Sequence, residues 1–214
     1  MNSTATILLA DDHPLLLSGL EDALSKLNYT IVASCEDGAK ALHMIASLQP
    51  TIAILDVEMP YLSGIEVVQK CKEKNLPTKF ILLTSHKEKG LILETKELAI
   101  SGYVLKEEPL SVIHTCIQQV LRGGVYYSEI FDTVFNTEIA PELQRITYLT
   151  PSERTVVRLI SQGHTSKSIA DLLSLSVRTI DNHRANIISK LELPSKTDAL
   201  TLWAKEHKIL INKF

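Results

Sequence analysis

A membrane-spanning length is the first thing missing from this 214-residue chain. No apolar run approaches the roughly 18–20 residues that a transmembrane helix needs, so no membrane partner is expected. Cysteine is scarce: Cys35, Cys71 and Cys116 are far apart and form no CxxC pair. That argues against a disulfide framework and against a structural zinc site. No basic stretch precedes an apolar one at the amino end, and acids arrive with Asp11 and Asp12. A secretory signal is therefore not expected, and the cytoplasm is the expected location. Internal repeats and low-complexity tracts are also lacking. What is present is ordinary globular material, 45% hydrophobic and 22% charged, which sets the chain outside the disordered class. Its length allows one large domain or two small ones, each with its own core.

Charge is unevenly spread. Residues 146–214 hold 10 of the 22 lysines and arginines but only 6 of the 25 acids, and four of the six arginines follow Thr150. An acidic front and a basic tail imply two domains with different partners, the tail's being a polyanion.

The front alternates short apolar runs with helical stretches. Thr6–Ala10, Thr30–Ser34, Thr51–Leu55, Lys79–Thr84 and Gly102–Leu105 read as strands rich in Ile, Val and Leu. Between them apolar residues recur three and four apart, as in Leu16, Leu20, Ala23, Leu24 and Leu27, in Ile65, Val68 and Cys71, and in Val112, Cys116, Val120 and Leu121. Five strands alternating with five helices imply an α/β fold, a parallel sheet covered on both faces. Gly123 and Gly124 end the last of these helices. Residues 123–146, with Pro141 and weak periodicity, read as a linker with a helical piece.

Ligands of an open parallel sheet bind outside the carboxyl ends of its strands. Asp11 and Asp12 end the first strand, Asp56 the third and Thr84 the fourth, and Lys106 follows the fifth. Five polar groups scattered along the chain therefore converge on one edge. Crowded carboxylates raise each other's pKa, and a divalent cation relieves that. All-oxygen ligation with few carboxylates favours Mg²⁺. A carboxylate with a lysine and a hydroxyl beside it is set to accept a phosphoryl group in line.

Residues 6–122 resemble the receiver domain of a two-component response regulator. The resemblance is carried by Ile7-Leu8-Leu9-Ala10-Asp11-Asp12, by Asp56-Val57-Glu58-Met59-Pro60-Tyr61-Leu62-Ser63-Gly64, by Leu83-Thr84-Ser85 and by Gly102-Tyr103-Val104-Leu105-Lys106. It implies a flavodoxin-like, doubly wound, five-stranded parallel sheet over residues 1–122. It implies Asp56 as phosphoacceptor, Mg²⁺ on Asp12, Asp56 and the backbone carbonyl of Glu58, and Asp11 acting largely through water. Thr84 would bond the phosphoryl group, Lys106 would pair with it, and Tyr103 would swing inward. Glu58 and His86, two positions past Asp56 and Thr84, are expected to flank the mouth through which hydrolytic water enters.

The tail reads as helices only. Thr150 is the N-cap of a helix with Pro151 at its first position and Glu153 completing a capping box. Gly163 closes that helix, Thr165 caps a short one, and Leu173–Ser176 is a tight turn. Ser176 caps a longer helix whose Ile180, Ile187 and Leu191 face the core, and Ser195 opens a last helix through Trp203. At 100° per residue, Arg178, Asp181, Asn182, Ala185 and Ser189 point away from that core. Two helices joined by a tight turn suit a helix-turn-helix, and Arg, Asn and Asp are apt readers of base edges. Arg184, near the core edge, is expected either to pair with Glu153 or to touch DNA. His183 and Trp203 read as packing residues.

Residues 147–211 resemble the LuxR-type domain of the NarL/FixJ class of response regulators. Leu149-Thr150-Pro151-Ser152-Glu153, Gly163, Lys167-Ser168-Ile169-Ala170, Leu175-Ser176, Arg178-Thr179-Ile180-Asp181-Asn182-His183-Arg184, Ile187 and Lys190-Leu191 carry it. It implies an all-α DNA-binding domain over 147–214, with Lys167, Thr179 and Lys190 on the DNA backbone. Asp181 stands where some members place a lysine that meets DNA.

The two resemblances together imply a transcription regulator phosphorylated on Asp56 by a histidine kinase, binding double-stranded promoter DNA as a homodimer. The enzyme alternative is a phosphohydrolase of the haloacid-dehalogenase type. That chemistry wants D-x-D at the nucleophile, and this chain has Asp56-Val57-Glu58 with no cap for a substrate, so no enzyme is expected.

Overall fold

The computed structural model describes residues 5–85, 88–194, 196 and 198–211, apart from the side chains of 209 and 210. The chain divides into two compact units, Met1–Phe135 and Asn136–Phe214. Among the described residues no helix is long and apolar enough to cross a membrane.

The first unit is a parallel sheet in the order β2-β1-β3-β4-β5-β6. Its strands are β1 (Thr6–Ala10), β2 (Thr30–Cys35), β3 (Ile52–Leu55), β4 (Lys79–Thr84), β5 (Gly102–Leu105) and β6 (Tyr126–Tyr127). The helices between them are α1 (Pro14–Lys26), α2 (Gly38–Leu48), α3 (Gly64–Glu73), α4 (Lys89–Glu97) and α5 (Leu110–Leu121). β3 and β5 are buried at every residue, which is why they read as unbroken apolar runs rather than alternating ones. On one face Ile7, Leu9, Ile52, Ile54, Ile81, Leu83 and Val104 pack against Leu17, Leu20 and Leu24 of α1 and Ile113, Cys116, Ile117 and Val120 of α5. Right-handed crossovers send the chain one way from β1 to β2 and the other way from β2 onward, so α2 and α3 cover the opposite face. The order reverses between β1 and β3, and a crevice opens there at the carboxyl edge.

The sheet has six strands where the sequence predicts five. Gly123 takes the left-handed φ of 86° that ends α5, and the chain then returns beside β5. Tyr126 N–H donates to Ser101 O at 2.9 Å and Ser128 N–H to Tyr103 O at 3.0 Å. Two residues are too short to show a period. Further along, 123–146 is more ordered than a linker with one helical piece. It holds β6, α6 (Glu129–Val134), a π-helical turn (Phe135–Ile139) and α7 (Ala140–Thr147), and it is shared between the two units.

The second unit is helical: α7, α8 (Pro151–Ser161), α9 (Ser166–Leu173), α10 (Val177–Lys190), α11 (Ala199–Glu206) and α12 (Lys208–Ile211). Its core is built from Val156, Val157, Ile160, Ile169, Ala170, Ile180, Ile187, Leu191, Leu200, Trp203 and Ala204, all buried. The starts follow the sequence. Thr150 and Glu153 form a reciprocal capping box on α8. Thr165 accepts from Ser168 N–H and Ser176 from Thr179 N–H. α9 ends on Ser174 at φ 54°, and Leu175 N–H returns to Ala170 O at 2.9 Å, so α9 and α10 meet at a tight turn. Ser195, expected to open the helix through Trp203, lies outside the described residues, and that helix, α11, starts later, at Ala199.

Candidate functional site

The carboxyl edge of the sheet collects the side chains the strand ends predict. Backbone bonds fix where each strand stops: Asp11 N–H donates to Cys35 O at 3.1 Å, Asp56 N–H to Ala10 O at 2.8 Å and Lys106 N–H to Thr84 O at 2.9 Å. Asp11, Asp56 and Thr84 are buried, at 4%, 3% and 0% exposure. The Lys106 ammonium stands 2.7 Å from Oδ2 of Asp11 and 2.7 Å from Oδ2 of Asp56. Residues 50 and 95 positions apart from Lys106 are thus drawn onto one cation.

Burial, with the Asp11 charge beside it, pushes the Asp56 carboxyl above the usual carboxylate range, against the pull of Lys106. Burial alone would lower the lysine. The hydrogen bonds and charges of Asp11 and Asp56 win, and hold it above its ordinary value. Asp12 is exposed on the rim. Nδ1 of His13 lies 2.8 Å from Oδ1 of Asp12 and 3.1 Å from Oδ1 of Asp11. Ligand atoms of Asp11, Asp12, His13 and Asp56 all fall within 4.8 Å of one another. Oδ2 of Asp11 is buried, and the Lys106 ammonium at 2.7 Å is its partner. Three carboxylates whose oxygens gather within 4.8 Å, offset by a single lysine, fit a divalent cation held by oxygen.

Beside the cluster, Asp12, Val57, Glu58, Met59, Pro60, Tyr61, Ser63 and Glu66 line an open cleft of about 570 Å³. Ser63 and Glu66 cap α3 reciprocally. The glycine of the motif has a steric reason. A Cβ on Gly64 would stand 2.2 Å from the carbonyl oxygen of Asp56, while Gly64 N–H donates to Val57 O at 2.9 Å. α3 therefore starts against the backbone of Asp56 itself.

Tyr103 is fully buried. Its ring packs on Phe131 of α6, centroids 4.8 Å apart and tilted by 57°. Phe131 in turn stacks on Tyr127 at 4.3 Å and 16°. Lys96 of α4 holds its ammonium 4.3 Å from the Tyr127 ring centre and 4.8 Å from that of Phe135. Thr84 and Tyr103 thus sit on the adjacent strands β4 and β5, Tyr103 against the extension that follows α5. His86, expected at the mouth, lies outside the described residues, and Glu58 is exposed.

The second unit presents its other candidates on α9 and α10. Arg178, Asp181, Asn182, Ala185 and Ser189 are exposed, Thr179 is half-buried, and Lys167 is exposed on α9. Oγ1 of Thr179 shares a hydrogen bond with Oγ of Ser176 at 2.8 Å. Lys190 is not simply outward: its ammonium donates to Oε2 of Glu153 at 2.7 Å. The pairing of Arg184 with Glu153 is thereby corrected. Arg184 instead donates to Thr201 Oγ1 at 3.3 Å, and Glu153 takes the lysine. His183 is half-buried and Trp203 is buried at 8% exposure, as packing residues.

Sequence reasoning missed His13. The signal was its place, directly after the acidic pair and before Pro14 at the start of α1. His13 N–H donates to Oδ1 of Asp11 at 2.9 Å, and that bond turns the ring back over the cluster.

Comparison with known proteins matches both units. Residues 7–118 match the response regulator receiver domain family, and residues 147–203 match the bacterial regulatory proteins of the luxR family. The nitrate/nitrite response regulator protein NarL of Escherichia coli (strain K12) is 30% identical over 211 residues, covering 96% of this chain and 97% of NarL. The transcriptional regulatory protein YdfI of Bacillus subtilis (strain 168) is 32% identical over 208 residues, covering 92% and 93%. A solved structure of the RcsB response regulator of Salmonella typhimurium shares the fold, with a TM-score of 0.71, 24% identity, and coverage of 93% of this chain and 98% of that one. The two matches fall on the two compact units, and the chain belongs to the two-component response regulators, as a transcription regulator with a receiver domain and a LuxR-type DNA-binding domain.

Proposed function

We propose that a sensor histidine kinase phosphorylates Asp56 in the cytoplasm, and that the phosphorylated chain dimerises and binds promoter DNA through residues 147–214. The receiver spans 1–122, and 123–146 joins the two parts. The observation that carries this reading is the Lys106 ammonium held 2.7 Å from both Asp56 and Asp11 at the sheet edge. Asp56 attacks the phosphorus of a phosphohistidine in line, an oxygen–phosphorus bond forms as the phosphorus–nitrogen bond breaks, and the imidazole leaves with the electron pair. Lys106 is placed to follow the phosphoryl oxygens once Asp56 is esterified, which frees it from a charge pair. In the phosphorylated state the Thr84 hydroxyl, at the end of β4, donates to a phosphoryl oxygen, and Tyr103 moves with it.

Asp12, Asp56 and the backbone carbonyl of Glu58 would hold Mg²⁺, with Asp11 acting largely through water. When bound, that ion neutralises charge developing on the phosphoryl oxygens. On the DNA side, Lys167, Thr179 and Lys190 contact the backbone, while Arg178, Asp181, Asn182 and Ala185 face base edges. α10 is then the helix that enters the major groove.

The test is Mg²⁺-dependent labelling of the full chain by acetyl phosphate. Wild type takes up one phosphoryl group per chain. Asp56→Asn takes up none, because the amide keeps the shape and loses the nucleophile. Equal labelling of that variant would overturn the assignment.

A further inference from the structure

The outward face of α10 carries one group at odds with a polyanion-binding helix. Asp181 is exposed, in the N-terminal half of the helix. Among the described residues it makes no hydrogen bond or ion pair, either with Arg178 one turn earlier or with any neighbour. It does not serve the helix end. Ser176 is the N-cap, and its Oγ accepts from Thr179 N–H at 3.1 Å. Asp181 lies a full turn further in, where favourable interaction with the helix dipole has faded. The fold therefore gives this carboxylate no task.

Its neighbours restrict what it can do on DNA. Arg178, Asp181, Asn182 and Ala185 fall within an arc of roughly 100° on the wheel, so whatever surface Arg178 and Asn182 meet, Asp181 meets too. Ala185, one turn beyond Asp181, has only a methyl group and does not hold the helix off the groove floor. Against phosphate a carboxylate is repelled. An ionised carboxylate only accepts hydrogen bonds, and the major groove offers two amino donors, N4 of cytosine and N6 of adenine. Adenine sets the acceptor N7 beside its amino group, which faces the second carboxylate oxygen unfavourably. Cytosine has no acceptor there. Guanine and thymine present acceptors and are rejected.

We infer that Asp181 is a specificity-determining residue that accepts a hydrogen bond from N4 of cytosine in the major groove. The inference rests on the proposed reading that α10 enters that groove. It gives Asp181 a signature opposite to that of a basic contact. Removing it strengthens binding to arbitrary DNA while weakening discrimination at one base pair.

The experiment selects duplexes from a random library with the full chain, treated with Mg²⁺ and acetyl phosphate, for wild type, Asp181→Ala and Asp181→Asn. The selected duplex, its three single-base changes at each position and a scrambled duplex are then titrated. Asp181 is exposed and unpartnered, so unchanged far-ultraviolet circular dichroism is expected for both variants. In Asp181→Ala, preference for cytosine at one base pair of each half-site falls roughly ten- to hundredfold, and the scrambled duplex binds more tightly. In Asp181→Asn the preference at that same base pair moves to adenine, whose N6 and N7 an amide fits. If both variants keep the wild-type base preferences and tighten all duplexes alike, the carboxylate only repels phosphate and the inference fails. Arg178→Ala and Asn182→Ala separate this from the reading beneath it. If they relax base choice and the Asp181 variants do not, only the inference falls. If they too leave the selected sequence unchanged, or wild type enriches no sequence, α10 is not the reading helix and both fall.

Discussion

Replacing Lys190 by methionine isolates the ion pair that ties α10 to α8. Glu153 is buried, at 3% exposure, and its Oε2 accepts from Thr150 N–H at 2.7 Å and from the Lys190 ammonium at 2.7 Å. Methionine keeps the apolar stem and removes the charge, so the carboxylate is left with Thr150 alone. Breaking a fully buried pair costs about 3–5 kcal/mol. The lysine side chain is 33% exposed, however, and water can reach the gap, so the scale of a single charged hydrogen bond, about 1.5–3 kcal/mol, is the better measure. We expect Lys190→Met to destabilise the second unit by about 2 kcal/mol near pH 7.

The pH dependence fixes the sign. Burial acts to raise the Glu153 carboxyl, but the bonds from Lys190 and Thr150 outweigh it and hold the folded pKa below the ordinary 4.5. A depressed carboxyl contributes stability that is present above the unfolded value and lost as pH falls through the lower folded one. Without the lysine, burial leads, and the carboxyl protonates sooner. The gap between variant and wild type is therefore widest near neutrality and narrows below about pH 4.5. The chain's one tryptophan, Trp203, is buried in the same unit, so its fluorescence during urea unfolding of the full chain reports the transition. An unchanged midpoint at pH 7, or a gap that widens on acidification, would refute the argument.

Phe131→Ala removes the ring between Tyr103 and Tyr127. It should cost about 3–5 kcal/mol, seen as lost amide hydrogen-exchange protection across 126–135. Gly64→Ala forces the Asp56 backbone and α3 apart, since the added Cβ would lie 2.2 Å from the Asp56 carbonyl oxygen. Labelling by acetyl phosphate should slow by roughly 100-fold, and an unchanged rate would show that the close approach is tolerated. Lys167→Ala should weaken binding to every duplex and lower the salt slope by about one unit, whereas Arg178→Ala should cost about 1–3 kcal/mol mainly at the preferred site. Binding curves at three salt concentrations on specific and scrambled duplexes tell them apart.

β1, β3, β4 and β5 were legible because each is a short apolar run buried on both faces, and burial writes itself into composition, while β2, at the edge, is exposed at Thr30, Val32 and Ser34 and shows itself by its Ile31-Val32 pair. β6 was not, since Tyr126 and Tyr127 are only half-buried and gain their place from the open edge of β5. α6 was faint for a related reason: Phe131 is its one buried residue, and a single anchor makes no period. Asp11, Asp56, Thr84 and Lys106 were found by a rule about sheets rather than by their neighbours in sequence. Given parallel strands in a doubly wound order, their carboxyl ends must share an edge, and polar residues at those ends must meet.

The same logic explains why Lys190, and not Arg184, reached Glu153. On a helical wheel about Ile180, Arg184 lies roughly 40° from the core direction and Lys190 roughly 80° from it, so angle alone favours the arginine. A wheel has no axial coordinate, though. Glu153 stands in the first turn of α8, and Lys190 is the last residue of α10, six residues or about 9 Å beyond Arg184 along its axis. The packing of α10 on α8 sets which end of one helix meets which end of the other. That height comes from tertiary packing, and no periodicity within α10 encodes it. The lysine is left to join two helices that are 37 positions apart at the contact. Arg184 is released to Thr201 at the edge of α11, and Arg178 and Asn182 stay exposed on the outward face.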